Sequence, residues 1–223
     1  MRIGIFGAGA MAGALGARWA AAGHELMITG RTAAKARALA DGWGARTGGF
    51  GEVAEFADVA LIAVLHQGMA ATLDRIGDAL RGKVIIDCNN PVEVGHFTLV
   101  TPPGRSMAQE IERATGGHVV KAFNLCHARV WRMDPPVFDG RRLTVPYCGD
   151  DPAALDVARR LITDLGCEPL PVGGIRHAHH LEAMAAIVIS LLFGGHDPHT
   201  VFNLVDRTTV ATSVQPASPD RRP

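Results

Sequence analysis

The sequence predicts an α/β fold of the doubly wound kind, a parallel sheet with helices on both faces, followed by a small compact C-terminal α/β extension. Three observations predict it. Short runs that are apolar throughout alternate with stretches of helical period up to residue 123, which is the pattern of buried parallel strands joined by crossover helices. The first strand runs into a glycine-rich turn and directly on into a helix. The alternation then resumes at residue 143 over a length too short for a second full domain.

The elements follow in order. Strand 2–6 (RIGIF) leads to a helix over 10–22, strand 24–28 (HELMI) and a helix over 32–41. Strand 58–65 (DVALIAVL), a helix within 67–80, strand 83–87 (KVIID), a helix near 106–114 and strand 118–123 (HVVKAF) complete a first domain spanning 1–142. Its crossovers are expected to be right-handed. The extension, 143–211, has strand 143–149 (LTVPYCG), a helix over 152–166 carrying Leu155, Ala158, Leu161, Ile162 and Leu165, and strand 167–172 (CEPLPV). A last helix, 177–193, sets Leu181, Met184, Ile187, Val188 and Leu191 on one face. Its run AMAAIVISLLF, 183–193, is too short to span a membrane and reads as a buried helix. The tail 212–223 has no apolar pattern and is expected to be disordered.

Composition narrows the function. With 48% apolar and 20% charged residues the chain is a packed globule, which excludes disordered and fibrous classes. The 22 basic and 22 acidic residues cancel, so no overall field draws the protein to nucleic acid or to an anionic membrane, and neither is an expected partner. Cys88, Cys126, Cys148 and Cys167 form no CxxC pair and read as reduced, buried thiols. The first residues already belong to a core strand rather than a signal segment, so a cytoplasmic location is expected. Among the basic residues only Lys35, Lys83 and Lys121 are lysines, and with abundant Ala and Gly this hints at a GC-rich, bacterial source.

The turn after the first strand reads Gly7, Ala8, Gly9, Ala10, Met11, Ala12. This is the GxGxxA dinucleotide fingerprint in its strand-turn-helix setting, and it makes the first domain Rossmann-type. Gly7 permits the tight turn, Gly9 lets the backbone approach a pyrophosphate, and Ala12 lets the helix pack on the strand. Free N–H groups at the helix start would hold the anion. Sites for NAD end the second strand in a carboxylate that binds the ribose hydroxyls. Here that place holds Thr29, Gly30, Arg31 and Thr32, with Lys35 one helical turn on. A planar guanidinium, two hydroxyls and an ammonium suit a 2′-phosphate, so NADP(H) is the expected cofactor. Thr32 is also placed to cap the helix that it opens. Carboxyl ends of further strands should line the same crevice: Ala63, Val64, Leu65 and His66 after the third, Asn90 and Pro91 after the fourth.

Together these motifs resemble the NADPH-dependent F-420 reductases (F-420:NADP oxidoreductases), a family related to the reductase domain of the STEAP metalloreductases. The resemblance is carried by IGIFGAGAMAGALG, TGRTAAKA, DVALIAVL, GKVIIDCNNP, VVKAFN, VPYCGDD, LITDLGCEPLPVGGI and HHLEAM, spread over nearly the whole chain. It implies that the glycine loop with Thr29, Arg31 and Lys35 holds NADP(H). It also implies a second cofactor, coenzyme F-420 or another flavin-like ring system, beside Asn90, Pro91, Phe123 and Asn124 and against the last helix.

Hydride transfer between two such rings needs proximity and exclusion of water but no protein acid or base. The sequence shows no Ser-His-Asp, Cys-His or paired-carboxylate set. Two other readings stay open. An imine or carbonyl reductase would need a proton donor, for which His127 and Tyr147 are candidates with Asn124 as orienting group. A non-catalytic NADP(H)-binding sensor would need neither. His177, His179 and His180, with His196 and His199 further on, lack a fourth ligand at an accepted spacing, so no metal is expected and contacts to a second cofactor's tail fit better. The expected partners are a small-molecule redox acceptor and a second copy of the chain in a homodimer, with the apolar helix 181–193 either its interface or covered by its own domain.

Overall fold

The computed structural model describes residues 1–93 and 95–196. The expected tail and His199 lie outside the described residues. In chain order the first elements are β1 (Arg2–Phe6), α1 (Ala10–Ala21), β2 (Glu25–Thr29), α2 (Ala33–Trp43), β3 (Arg46–Thr47), α3 (Phe50–Phe56), β4 (Val59–Ile62), α4 (Met69–Ile76), β5 (Val84–Asp87), α5 (Met107–Thr115) and β6 (His118–Lys121). The chain continues with the hairpin β7 (Val137–Phe138) and β8 (Arg141–Arg142), then β9 (Thr144–Tyr147), α6 (Pro152–Asp164), β10 (Glu168–Pro171) and α7 (Ala178–Phe193).

The first six strands form one sheet in the order β3-β2-β1-β4-β5-β6, and every pairing within it is parallel. The order reverses between β1 and β4, which opens a crevice at the carboxyl edge. A single register row crosses that edge: Thr29 pairs with Phe6, Phe6 with Ile62, Ile62 with Asp87 and Asp87 with Lys121. Residues one step beyond this row are therefore the crevice wall. Two apolar layers sandwich the sheet. One packs α1, α2 and α6 through Leu15, Trp19, Ala36, Ala40, Ala158 and Leu161. The other packs α3, α4, α5 and α7 through Phe50, Val53, Met69, Ile111, Ala178 and Leu181.

The segment after residue 142 is held to the sheet at two places. β9 and β10 pair in parallel, and an antiparallel bridge joins Lys121 of β6 to Cys148 just past β9. On the opposite layer the Trp19 indole Nε1–H donates to the Leu161 carbonyl of α6 at 3.1 Å.

Several expectations need correction. The strands are shorter than the apolar runs that announced them, because backbone pairing stops where the chain turns into the crevice. The helix within 67–80 is a 3₁₀ turn (His66–Gly68), α4 and a second 3₁₀ turn (Gly77–Leu80). β3 and α3 were not expected, since Gly48, Gly49 and Gly51 give that stretch the composition of a loop. The largest revision concerns α7. Leu181, Ala185 and Ala186 are buried, but Met184 is 47%, Ile187 51%, Leu192 52% and Phe193 72% exposed. Only the first turns of α7 lie against the core, so the helix is not buried as its composition suggests. The cysteines are free, as expected, though Cys126 is only partly buried. Burial pushes the Cys88 and Cys148 thiols up to about 12 and those of Cys126 and Cys167 to about 11, which keeps all four protonated at neutral pH. Among the described residues no helix is long and apolar enough to cross a membrane.

Candidate functional site: a crevice across the carboxyl edge of the sheet

The glycine turn is shaped by its neighbours. Gly7 has φ +124 and its N–H donates to the Thr29 carbonyl at 2.9 Å, while a Cβ there would be driven into the Ala63 carbonyl. Only glycine can take that backbone and that closeness. Gly9 is different: nothing lies within 4 Å of where its Cβ would be. The turn therefore has a crowded floor at Gly7 and an open roof at Gly9, and that roof is where a backbone-hugging group would lie. Gly9 is also the N-cap of α1, with no side chain capping the helix and no acid in its first turn. The N–H groups of Ala10, Met11 and Ala12 thus start a helix dipole with no anion of the protein's own.

Thr29, Gly30, Arg31 and Thr32 rise beside this turn at the end of β2, and Gly30 approaches Ala8 closely. Arg31, Thr32 and Lys35 are exposed, and Arg31 and Lys35 enter none of the ion pairs among the described residues. Thr32 occupies the N-cap position of α2, but its hydroxyl makes no capping bond, so the expected cap is absent and the hydroxyl is free to bind elsewhere. An uncapped helix start, an unpaired guanidinium and an unpaired ammonium at one corner fit a phosphate group. The residues present therefore fit NADP(H).

Across the switch point, Ala63, Val64 and Leu65 leave the sheet at the end of β4, with the Ala63 N–H donating to the Phe6 carbonyl at 2.8 Å. Leu65 is 80% exposed, an apolar side chain standing at the lip of the crevice. His66 follows in the 3₁₀ turn and is half-buried.

The far end of the crevice is tied together by amides. Asn90 Nδ2 donates to the Asn124 carbonyl at 2.7 Å, and Asn124 Nδ2 donates back to Asn90 Oδ1 at 2.9 Å and to the Leu181 carbonyl of α7 at 3.0 Å. Asn124 Oδ1 is buried without a partner among the described residues. Phe123 aims this loop. Its φ of 63 is rare for a bulky side chain and costs about 1–3 kcal/mol. Edge contacts hold it there, with Trp19 at 5.8 Å and Trp131 at 5.3 Å between ring centroids. Pro91 is buried behind Asn90.

Beneath these amides lies a network that the sequence reading missed. Lys121 Nζ donates to Asp87 Oδ2 at 2.8 Å, to Glu182 Oε1 at 2.7 Å and to the Asn89 carbonyl. All three charged side chains are fully buried. Glu182 also accepts the Met107 N–H, the first of α5, at 3.0 and 3.1 Å. Asp87 Oδ1 accepts from the N–H and side-chain amide of Asn89. Burial lowers the Lys121 pKa, but the charges and hydrogen bonds of Asp87 and Glu182 outweigh it and the net shift is upward. Burial pushes the Glu182 carboxyl up, against the opposing pull of Lys121. One signal for this network was available, a lysine alone in the apolar run VVKAF, but its partners lie far off in sequence.

His127 is exposed, and its Nδ1 accepts the Arg129 N–H at 3.2 Å, closing a local turn. Tyr147 is buried in the apolar layer with α6, and burial pushes its hydroxyl pKa up. His177, His179 and His180 stack at the start of α7, with 3.8 Å between the rings of His179 and His180. The Nδ1 atoms of His177 and His179 pair with the carbonyls of Gly174 and Arg176. No group of three or more possible metal ligands occurs among the described residues.

Known proteins can now be set beside this geometry. Residues 2–91 match the family model for NADP oxidoreductase, coenzyme F420-dependent. The F420-dependent NADP reductase of Methanothermobacter marburgensis is 28% identical over 194 residues, covering 79% of this chain and 85% of that one. The metalloreductase STEAP3 of Rattus norvegicus is 26% identical over 183 residues and 82% of this chain, which spans only 36% of STEAP3. A crystal structure from Arthrobacter sp. FB24, proposed to be an F420-dependent NADP reductase, superposes with a TM-score of 0.77 at 25% identity, covering 87% of this chain and 95% of that one. The likeness thus runs through the crevice walls on both sides of the switch point. In its family segment, residues 2–91, and in the relatives named above, the chain is similar to NADP-dependent oxidoreductases of the coenzyme F420-dependent family.

Proposed function

We propose that this protein transfers a hydride between NADPH and a deazaflavin acceptor of the coenzyme F-420 type, in a crevice with one charged and one neutral end. The carrying observation is that division of the crevice. At the β2 end Arg31, Thr32 and Lys35 are exposed beside the buried Thr29, and they would take the 2′-phosphate. The pyrophosphate would lie over Gly9 and the uncapped start of α1. At the β5 and β6 end the amides of Asn90 and Asn124 and the ring of Phe123 follow the strands, with no charged side chain among them. There Asn90 and Asn124 would fix the plane of the nicotinamide through its carboxamide, for which the unpartnered Asn124 Oδ1 is a ready acceptor. Leu65 would cover a ring face and exclude water.

When bound, NADPH supplies the hydride; the chain's part is to hold two rings face to face. Neither His127 nor Tyr147 has the setting of a proton donor to this crevice, which supports an acceptor that needs none. The relatives named for F420 support the deazaflavin in particular. The test is anaerobic oxidation of NADPH by the purified protein with coenzyme F-420, FMN, FAD and a cyclic imine as separate acceptors. Turnover with the deazaflavin at least tenfold faster than with the others is the expected result. Turnover with the imine alone would replace this reading by an imine reductase.

A further inference from the structure

The buried network of Lys121, Asp87 and Glu182 carries two carboxylates around one ammonium, so its formal charge is minus one. The geometry supports that protonation state. Both Glu182 oxygens meet donors, the Lys121 ammonium and the Met107 N–H, and a protonated Glu182 would need an acceptor where these donors stand. Asp87 is likewise surrounded by the donors of Asn89 and Lys121. Among the described residues no second cation pairs with either carboxylate.

Its place in the fold gives this charge a direction. Asp87 and Lys121 end β5 and β6 in the register row that forms the edge of the crevice. Asn89 and Asn90 follow directly on the one and Phe123 and Asn124 on the other. A dinucleotide bound across a switch point puts one half on each side of it. With the free Arg31 and Lys35 at β2, the phosphate-bearing adenosine half belongs there, and the nicotinamide half belongs over β4 to β6. The uncancelled charge lies under that second half.

We infer that this triad sets the redox preference of the nucleotide site, its buried negative charge favouring the oxidised nicotinamide over the reduced one. The inference rests on the NADP(H) reading. When the dihydronicotinamide ring gives up a hydride, the C–H bond breaks, hydrogen and its electron pair pass to the acceptor, and the ring is left with one positive charge. No bond forms to the protein. The two oxidation states share every phosphate and adenine contact, so a charge near the ring alone distinguishes them. A charge in the protein interior is weakly screened, so the distinction should persist in salt that weakens both nucleotides through their phosphates.

The experiment is a titration of tryptophan fluorescence with NADP⁺ and NADPH in wild type and in Glu182→Gln, Glu182→Asp and Asp87→Asn, each at low and high salt. In wild type NADP⁺ should bind more tightly, and NADPH binding more tightly would overturn the inference without any variant. Glu182→Gln removes the charge and keeps an acceptor, so the ratio Kd(NADP⁺)/Kd(NADPH) should rise roughly tenfold. Glu182→Asp should return it towards wild type. Asp87→Asn removes the same unit of charge from the other side and serves if Glu182→Gln does not fold. A network that only braces the loops would weaken both nucleotides by one factor and leave the ratio fixed, which overturns the inference. Failure of wild type to bind either nucleotide would instead remove the cofactor reading on which it stands.

Discussion

Arg31 and Lys35 are exposed cations with no acid opposite them among the described residues, and that absence of a partner is what makes them informative. A charge-assisted contact to a phosphate is made by NADPH and not by NADH. Arg31→Ala should therefore raise the Kd for NADPH by roughly ten- to a hundredfold and leave NADH nearly unchanged, as read by fluorescence titration. An equal loss for both nucleotides would remove the phosphate assignment. This corner was legible in the sequence because its residues are neighbours in the chain, five of them within seven positions. The Lys121 network was not, because Asp87, Lys121 and Glu182 come from two strands and a helix and meet only in the fold. Removing one partner of a buried pair strands the others: Lys121→Met should cost about 3–5 kcal/mol in urea unfolding. A loss below about 1 kcal/mol would mean that the carboxylates find protons or water without it.

The strand, turn and helix at the N-terminus separate folding from binding within three residues. Gly7 needs φ +124 and has the Ala63 carbonyl against it, so Gly7→Ala should lower the melting temperature sharply. Gly9 has extended backbone and open space, so Gly9→Ala should melt close to wild type while binding nucleotide much more weakly, since its methyl group fills the roof of the turn. Calorimetry and titration on the pair check this, and a Gly9→Ala protein that binds normally would move the pyrophosphate elsewhere. Other elements show what periodicity can and cannot carry. β1, β4, β5 and β6 are apolar on both faces, and such runs have no use outside a buried parallel sheet. The α3 segment offered glycines at 48, 49 and 51, and its capping by Glu52, whose carboxylate accepts the Gly49 N–H at 2.6 Å, was too local to outweigh them. For α7 the apolar period grouped Met184 and Ile187 with Leu181, but the face that packs is Ala178, Leu181, Glu182, Ala185 and Ala186, because period alone does not say what covers a face.

At the scale of the molecule the buried network joins what the topology keeps apart. Lys121 reaches from the edge of the six-stranded sheet to α7, and Glu182 carries the connection on to the first N–H of α5. The helix that shows Ile187 and Phe193 to solvent is thus anchored through its buried first turns. This has a consequence at high pH. The folded pKa of Lys121 is raised above its ordinary 10.5, so the folded state holds that proton more tightly than the unfolded chain does. Below the unfolded value the stabilisation is complete; as pH climbs past it and through the folded value, the stabilisation is lost. Glu182 acts in the acid range with the same sense: its raised pKa means that ionisation costs more in the fold, so its share of stability declines as pH rises above 4.5. On the alkaline limb the buried thiols, raised from 9.0, and Tyr147 act in the same sense from about pH 9, and Lys121 adds its loss above about pH 10.5. Unfolding free energies measured by urea from pH 8 to pH 11.5 should fall in wild type from about pH 9 and more steeply from about pH 10.5, and the steeper loss should be accompanied by detachment of α7, read as faster amide exchange over 178–186. In Lys121→Met this steepening should be absent, leaving a shallower slope. Parallel curves for the two proteins would mean that some other group governs the alkaline transition and that Lys121 titrates only after the fold is gone.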